Sequence, residues 1–189
     1  GAEIDAALVA AMAGADAPAR VALVRALEAR GSRAAAPALL AAGRQDADAG
    51  VRATALLALQ TLAEPPLLPD MVAALREAKT DGERDAAERA VLALLTRVDD
   101  KAKAAAPVLQ ALAAADTAVP ARCSLLRVAG RLGGGPCLGA LREALKNPDE
   151  AVHNTALRTL ADWPDAEPMG DLLALARATD YKTHRVLAL

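Results

Sequence analysis

Few residues in this chain can do chemistry, and most of those stand at a regular spacing. There are two His, His153 and His184, and two Cys, Cys123 and Cys137. A His or His–Cys set could hold a metal, and a Cys beside a base could attack a carbonyl. The sequence offers neither context: no His-Glu pair, no Ser/His/Asp arrangement of credible spacing and no glycine-rich phosphate loop. What does recur is a cation. Arg20, Arg52, Arg122, His153 and His184 fall at one position of a pattern that returns every 31 to 35 residues, with Ala87 in the remaining copy. A guanidinium binds carboxylates through a planar fork, so the chemistry on offer is ion pairing, or a basic stripe for an acidic partner.

The elements that carry this ladder are helical. Ala and Leu dominate, and runs of β-branched or aromatic residues are missing. The stretch from Val51 to Leu59 returns from Val152 to Leu160, with weaker copies from Ala19, Ala86 and Ala121 and a further start at Thr183. Apolar residues lie three, four and seven places after each ladder position: Leu23, Val24, Leu27; Ala55, Leu56, Leu59; Ala90, Val91, Leu94; Leu125, Leu126, Ala129; Ala156, Leu157, Leu160. That spacing is one stripe of an α-helix. An Asp precedes each ladder position by four to six residues (Asp16, Asp48, Asp81, Asp116, Asp149, Asp180) and is placed to cap the helix. A second set of helices carries an early proline, at Pro37, Pro69, Pro107, Pro136 and Pro168. Gly31, Gly50, Gly82 and the run Gly133–Gly135 mark turns. The result is about twelve short helices in six hairpins. One Ala/Leu hairpin cannot bury both faces, so neighbours must be stacked to complete the core.

Composition narrows the functions. The 189 residues carry 22 Lys and Arg against 24 Asp and Glu, a net charge of −2, with 54% hydrophobic residues and 1% aromatics. Such a chain is too apolar for disorder. It lacks the basic excess and stacking aromatics of a nucleic-acid binder. No apolar run reaches the ~20 residues that a bilayer requires, and no signal peptide is visible.

A proline helix, a turn Asp and a Val-Arg opening of the next helix resemble the HEAT repeat, in the short bacterial form of the phycobilisome-lyase-like repeats. The resemblance runs the whole length, with repeats at 1–31, 32–63, 64–98, 99–132, 133–163 and 164–189, the last cut short. Ala87 departs from the pattern, so irregularity is expected over residues 64–88. The resemblance implies an all-α, right-handed α-α superhelix (an α-solenoid) forming one domain, with proline helices on the convex side and Val-Arg helices on the concave side. It also implies that the ladder residues Arg20, Arg52, Arg122, His153 and His184 pair with turn Asp and tie layers together.

The remaining candidates have plain structural readings. His153 and His184 sit in successive layers, and helices ~8–10 Å apart keep both rings from one metal. As stand-ins for Arg, they would lose their pairing as pH rises through the imidazole range. Cys137 matches core positions Val108 and Met169, whereas Cys123 matches the mixed set Val21, Ala53 and Asn154; free thiols are the simpler reading. Trp163, in Asp162-Trp163-Pro164-Asp165, reads as a turn anchor.

Five residues beyond the ladder, Arg25, Leu57, Leu92, Arg127 and Arg158 should point outward from the concave helices, a mixture suited to a protein or peptide. The expectation is a non-catalytic interaction module, monomeric by itself, without cofactor or metal, binding protein or peptide and neither nucleic acid nor membrane. It is expected to belong to a longer polypeptide, because Val186-Leu187-Ala188-Leu189 is half of a core helix. The alternatives are a HEAT-like enzyme related to lyases or DNA glycosylases, or the accessory domain of one, and a passive spacer.

Overall fold

A computed structural model gives the structure of residues 1–178. His184, Asp180, Thr183 and the segment from Val186 to Leu189 lie outside the described residues. Among those described there are eleven α-helices and no strand. The chain divides into two compact units, Gly1–Asp99 and Asp100–Leu189.

The first unit holds α1 (Ala2–Ala11), α2 (Ala17–Ala29), α3 (Ala36–Gln45), α4 (Ala49–Leu62), α5 (Leu68–Glu77) and α6 (Asp81–Leu95). Helices α2, α4 and α6 pack side by side in one row, with α4 in the middle; α3 and α5 pack on α4 and α6 and against each other. The second unit holds α7 (Lys101–Ala113), α8 (Val119–Leu132), α9 (Gly134–Ala144), α10 (Glu150–Ala161) and α11 (Met169–Ala178). There α8 and α10 form one row and α7 and α9 the other, with α11 against α10.

The helical stripes read from the sequence make these rows. Of the fifteen stripe residues, all but the half-buried Leu23 are buried. Small side chains let the rows close. A Cβ on Gly43 would stand 2.8 Å from Leu56 Cδ2, so α3 and α4 meet at bare backbone. Gly130 likewise admits the Thr159 methyl of α10 against α8.

Helix starts follow the sequence at Asp16, Asp48 and Asp149, whose carboxylates accept from Ala19 N, Val51 N, and Ala151 and Val152 N. At α6 the cap is Thr80, not Asp81, and α8 starts at Ala118 without a side-chain cap. Pro37, Pro69 and Pro136 lie in first turns and Pro168 directly precedes α11, but Pro107 is inside α7. That helix begins a turn and a half earlier, because Asp100 caps it by accepting from Lys103 N. Between α8 and α9 the chain turns through Gly133 and Gly134 at φ 75° and 80°, the left-handed region that a side chain resists.

Replacing the capping Asp48 or Asp149 with Ala should cost about 1 kcal/mol each in thermal unfolding, as for other N-caps. Asp81→Ala should cost clearly less, since Thr80 already supplies the cap. Equal losses at all three positions would show that the carboxylates act by something other than capping.

Candidate functional site

The ladder in the first unit is built from helix ends. Arg20, near the start of α2, donates Nη1 to the Ala15 carbonyl at 2.6 Å and Nη2 to Asp46 Oδ1 at 2.9 Å, with Nε 2.8 Å from Asp46 Oδ2. Asp46 belongs to the α3–α4 turn, so the bond joins two layers. Arg52 repeats the arrangement one layer on. Its Nη1 donates to the Asp46 and Ala47 carbonyls at 2.6 and 3.0 Å, and its Nη2 to Glu83 Oε1 at 2.7 Å.

Only 8% of the Arg52 side chain and 2% of the Glu83 side chain is exposed. Glu83 also accepts from Lys79 N and the Thr80 hydroxyl, while its own N–H donates to Thr80 Oγ1, a variant of the capping box in which the carboxylate reaches the N–H before the cap. Burial by itself would raise the Glu83 carboxyl. The bonds from Arg52, Lys79 and Thr80 outweigh it and hold Glu83 below its ordinary range.

In the second unit the same position turns to carbonyls. Arg122 donates Nη1 to Leu112 O at 2.8 Å and Nη2 to Ala114 O at 3.2 Å, at the end of α7. His153 Nδ1 lies 2.7 Å from Leu145 O, just past α9. A carbonyl only accepts, so Nδ1 carries the proton in this contact. The bond therefore survives in the neutral imidazole and does not require the protonated ring that the sequence suggested. Across both units the shared task of Arg20, Arg52, Arg122 and His153 is to satisfy carbonyls at a helix end or turn. The carboxylate reach to the next layer is added at Arg20 and Arg52.

The acids that bind Arg20 and Arg52 are Asp46 and Glu83, not the turn residues Asp48 and Asp81, and their signals in the sequence are weak. Asp46 stands two residues before the expected Asp48. Glu83 is announced by Thr80-x-x-Glu83, the capping-box spacing. Further ties link the proline helices: Arg44 with Glu77 at 2.9 Å and Arg142 with Asp171 at 2.8 Å.

The outward series is mixed in the structure as in the sequence. In the first unit Arg25 is exposed on α2, while Leu57 and Leu92 are half-buried on α4 and α6. In the second, Arg127 and Arg158 are exposed on α8 and α10, and Arg127 donates to Ser124 Oγ at 3.0 Å.

The second unit also contains a cleft of about 390 Å³, lined by Leu109, Leu112, Ala113, Arg122, Leu126, Ala140, Glu143, Ala144, Asn147 and Val152. Nothing local in the sequence marks it, because its walls come from four helices.

The other candidates are structural. Cys123 and Cys137 are free and buried, and burial pushes the Cys137 thiol up. Trp163 is buried in the turn after α10. Among the described residues no three His, Cys, Asp or Glu side chains gather to hold a metal. No helix among them is long and apolar enough to cross a membrane.

Paired helices stacked in rows, with Arg or His near the start of α2, α4, α8 and α10 and Ala87 in α6, define an all-α, HEAT-like fold. A solved structure that shares it is the complex of CpcE and CpcF of phycocyanin lyase from Nostoc sp. PCC7120. The two are 21% identical, the match covers 95% of this chain and 73% of that one, and the TM-score is 0.56. No family model matches the chain, and no curated protein matches it in sequence.

This likeness corrects the expectation that the chain is not an enzyme. A lyase complex is built on the fold seen here, so the lack of a recognisable nucleophile–base pair in the sequence does not mark the chain as non-catalytic. The physical reason is that a helical solenoid can assemble a site from side chains on several repeats, which leaves no local motif to read.

Proposed function

We propose that this chain is a HEAT-like, lyase-related protein that works as a subunit in a protein complex. The observation that carries the reading is the fold likeness to the complex of CpcE and CpcF, which extends over 95% of the chain. Two features support protein partners. Arg25 with the half-buried Leu57 and Leu92 gives the first unit a face of mixed charge and aliphatic surface. Arg127 and Arg158 give the second unit an exposed cationic face. Interfaces favour Arg and apolar anchors in this kind of mixture.

The test uses purified phycocyanin as the probe protein. Sedimentation scores complex formation, and visible absorbance of the mixture scores a lyase-type change. The expected result is a complex that weakens about tenfold or more in Arg127→Glu/Arg158→Glu, a loss of at least ~1.4 kcal/mol. Thermal unfolding of the variant separates a lost interface from a lost fold. Absence of a complex, with unchanged absorbance, would count against a lyase-related role on this protein class.

A further inference from the structure

We infer that the cleft of the second unit is a binding site for a small amphipathic carboxylate, held at one end by Arg122 and Asn147. This goes beyond the lyase-related reading and stands on the geometry of α7 to α10 alone.

The molecule contains its own comparison. Arg20 points to the turn of the following layer, where Asp46 meets its charge with two oxygens. Asn147 occupies the equivalent place in the α9–α10 turn. Both residues stand two before a capping Asp, and both accept that residue's N–H through Oδ1 at 2.9 Å. With Asn147 Oδ1 so engaged, Nδ2 takes the position of the second carboxylate oxygen, and Nδ2 is a donor. Arg122 brings further donors to the same cleft, and its hydrogen bonds among the described residues go to neutral carbonyls. Two sets of donors and one positive charge thus face a cleft where the first unit has an Asp. An anion satisfies both sets, and a carboxylate fits the guanidinium fork.

The rest of the wall sets the remaining chemistry. Leu109, Leu112, Leu126 and Ala140 are aliphatic, and about 390 Å³ falls within the range of small-molecule pockets. Glu143 also borders the cleft, but its exposed carboxylate bonds Lys146 Nζ at 2.7 Å. The ligand is therefore a monocarboxylate with a compact apolar body.

Phenylbutyrate and its uncharged amide, phenylbutyramide, are the probes, followed by backbone amide signals of the 15N-labelled chain. Millimolar phenylbutyrate should shift signals at the end of α7 and in the Asn147 turn, and phenylbutyramide should not. Asn147→Asp supplies the internal carboxylate that Asp46 provides in the first unit. It should keep the dispersed spectrum of the folded chain and weaken phenylbutyrate binding about tenfold or more. Arg122→Gln should abolish binding, and Asn147→Asp keeps the idea testable if that variant unfolds. Equal binding of acid and amide, undiminished binding to Asn147→Asp, or no shift at millimolar probe would each overturn the assignment.

Discussion

Replacing Glu83 with Leu is expected to cost about 3 kcal/mol or more, ~10 °C in melting temperature for a chain of this size. The loss comes from what stays behind. Arg52 is fixed by the Asp46 and Ala47 carbonyls and cannot follow its lost partner into water, so a guanidinium is left buried and unpaired. Removing both charges with Arg52→Met/Glu83→Leu should recover part of the loss. A buried ion pair is worth little against an apolar pair of similar volume once both desolvation costs are gone. Recovery should stay incomplete, because the Asp46 and Ala47 carbonyls, Lys79 N–H and Thr80 hydroxyl each lose a partner with the pair. Thermal unfolding of the two single variants and the double gives the cycle. Glu83→Leu as stable as the parent would show that the pair is not closed to solvent.

The same site fixes the direction of a pH dependence. The folded Glu83 carboxyl lies below its ordinary value of 4.5, so the stability it contributes is complete above that value. It is lost as pH falls through the lower folded value. Asp5, bonded by Arg30 at 2.7 Å and likewise held below its ordinary 3.8, acts in the same direction at α1. The melting temperature of the parent should therefore drop as pH falls below about 4.5, and Glu83→Gln should flatten part of that drop. A Glu83→Gln profile parallel to the parent's would assign the acid sensitivity elsewhere.

How much of this was legible in the sequence depends on the range of the interaction. The stripes of Val24 and Leu27, Leu56 and Leu59, and Leu157 and Leu160 were readable because a helix repeats its faces at fixed intervals, and burial follows the stripe. The cap at Asp48 was readable because Asp48 and Val51 are three residues apart. The choice of Thr80 over Asp81 was not, because adjacent competent side chains compete for one N–H and only the exact helix start decides. By its spacing Pro107 belongs to a first turn, yet Asp100 starts α7 a turn and a half before it. The partners of the ladder residues were hardest. Arg20, Arg52 and Arg122 look alike in sequence, but the next layer offers Asp46, Glu83 and Asn147 respectively, 25 to 31 residues away. The cleft was invisible for the same reason, since Leu109 and Asn147 meet in it only after four helices have packed.

Leu56→Ala, the other large effect, should cost about 2–5 kcal/mol, and that cost should shrink when Gly43 is also made Ala. Leu56 is 2% exposed and lies over Gly43, where a Cβ would come within 2.8 Å of both Cγ and Cδ2. Alone, Gly43→Ala gains about 1 kcal/mol of helix propensity but forces a buried Leu aside, an overpacking cost of about 1–3 kcal/mol. Its net effect should be a loss. In the Leu56→Ala background the obstacle is gone. The new methyl then occupies part of the cavity and the propensity gain is kept, so the double variant should be more stable than Leu56→Ala by about 1 kcal/mol or more. The sign of Gly43→Ala thus reverses between the two backgrounds, a result that no independent pair of sites gives. Strict additivity would mean that α3 can shift away from α4 at little cost. The close contact through Gly43 would then be a consequence of the packing of these hairpins and not one of its determinants.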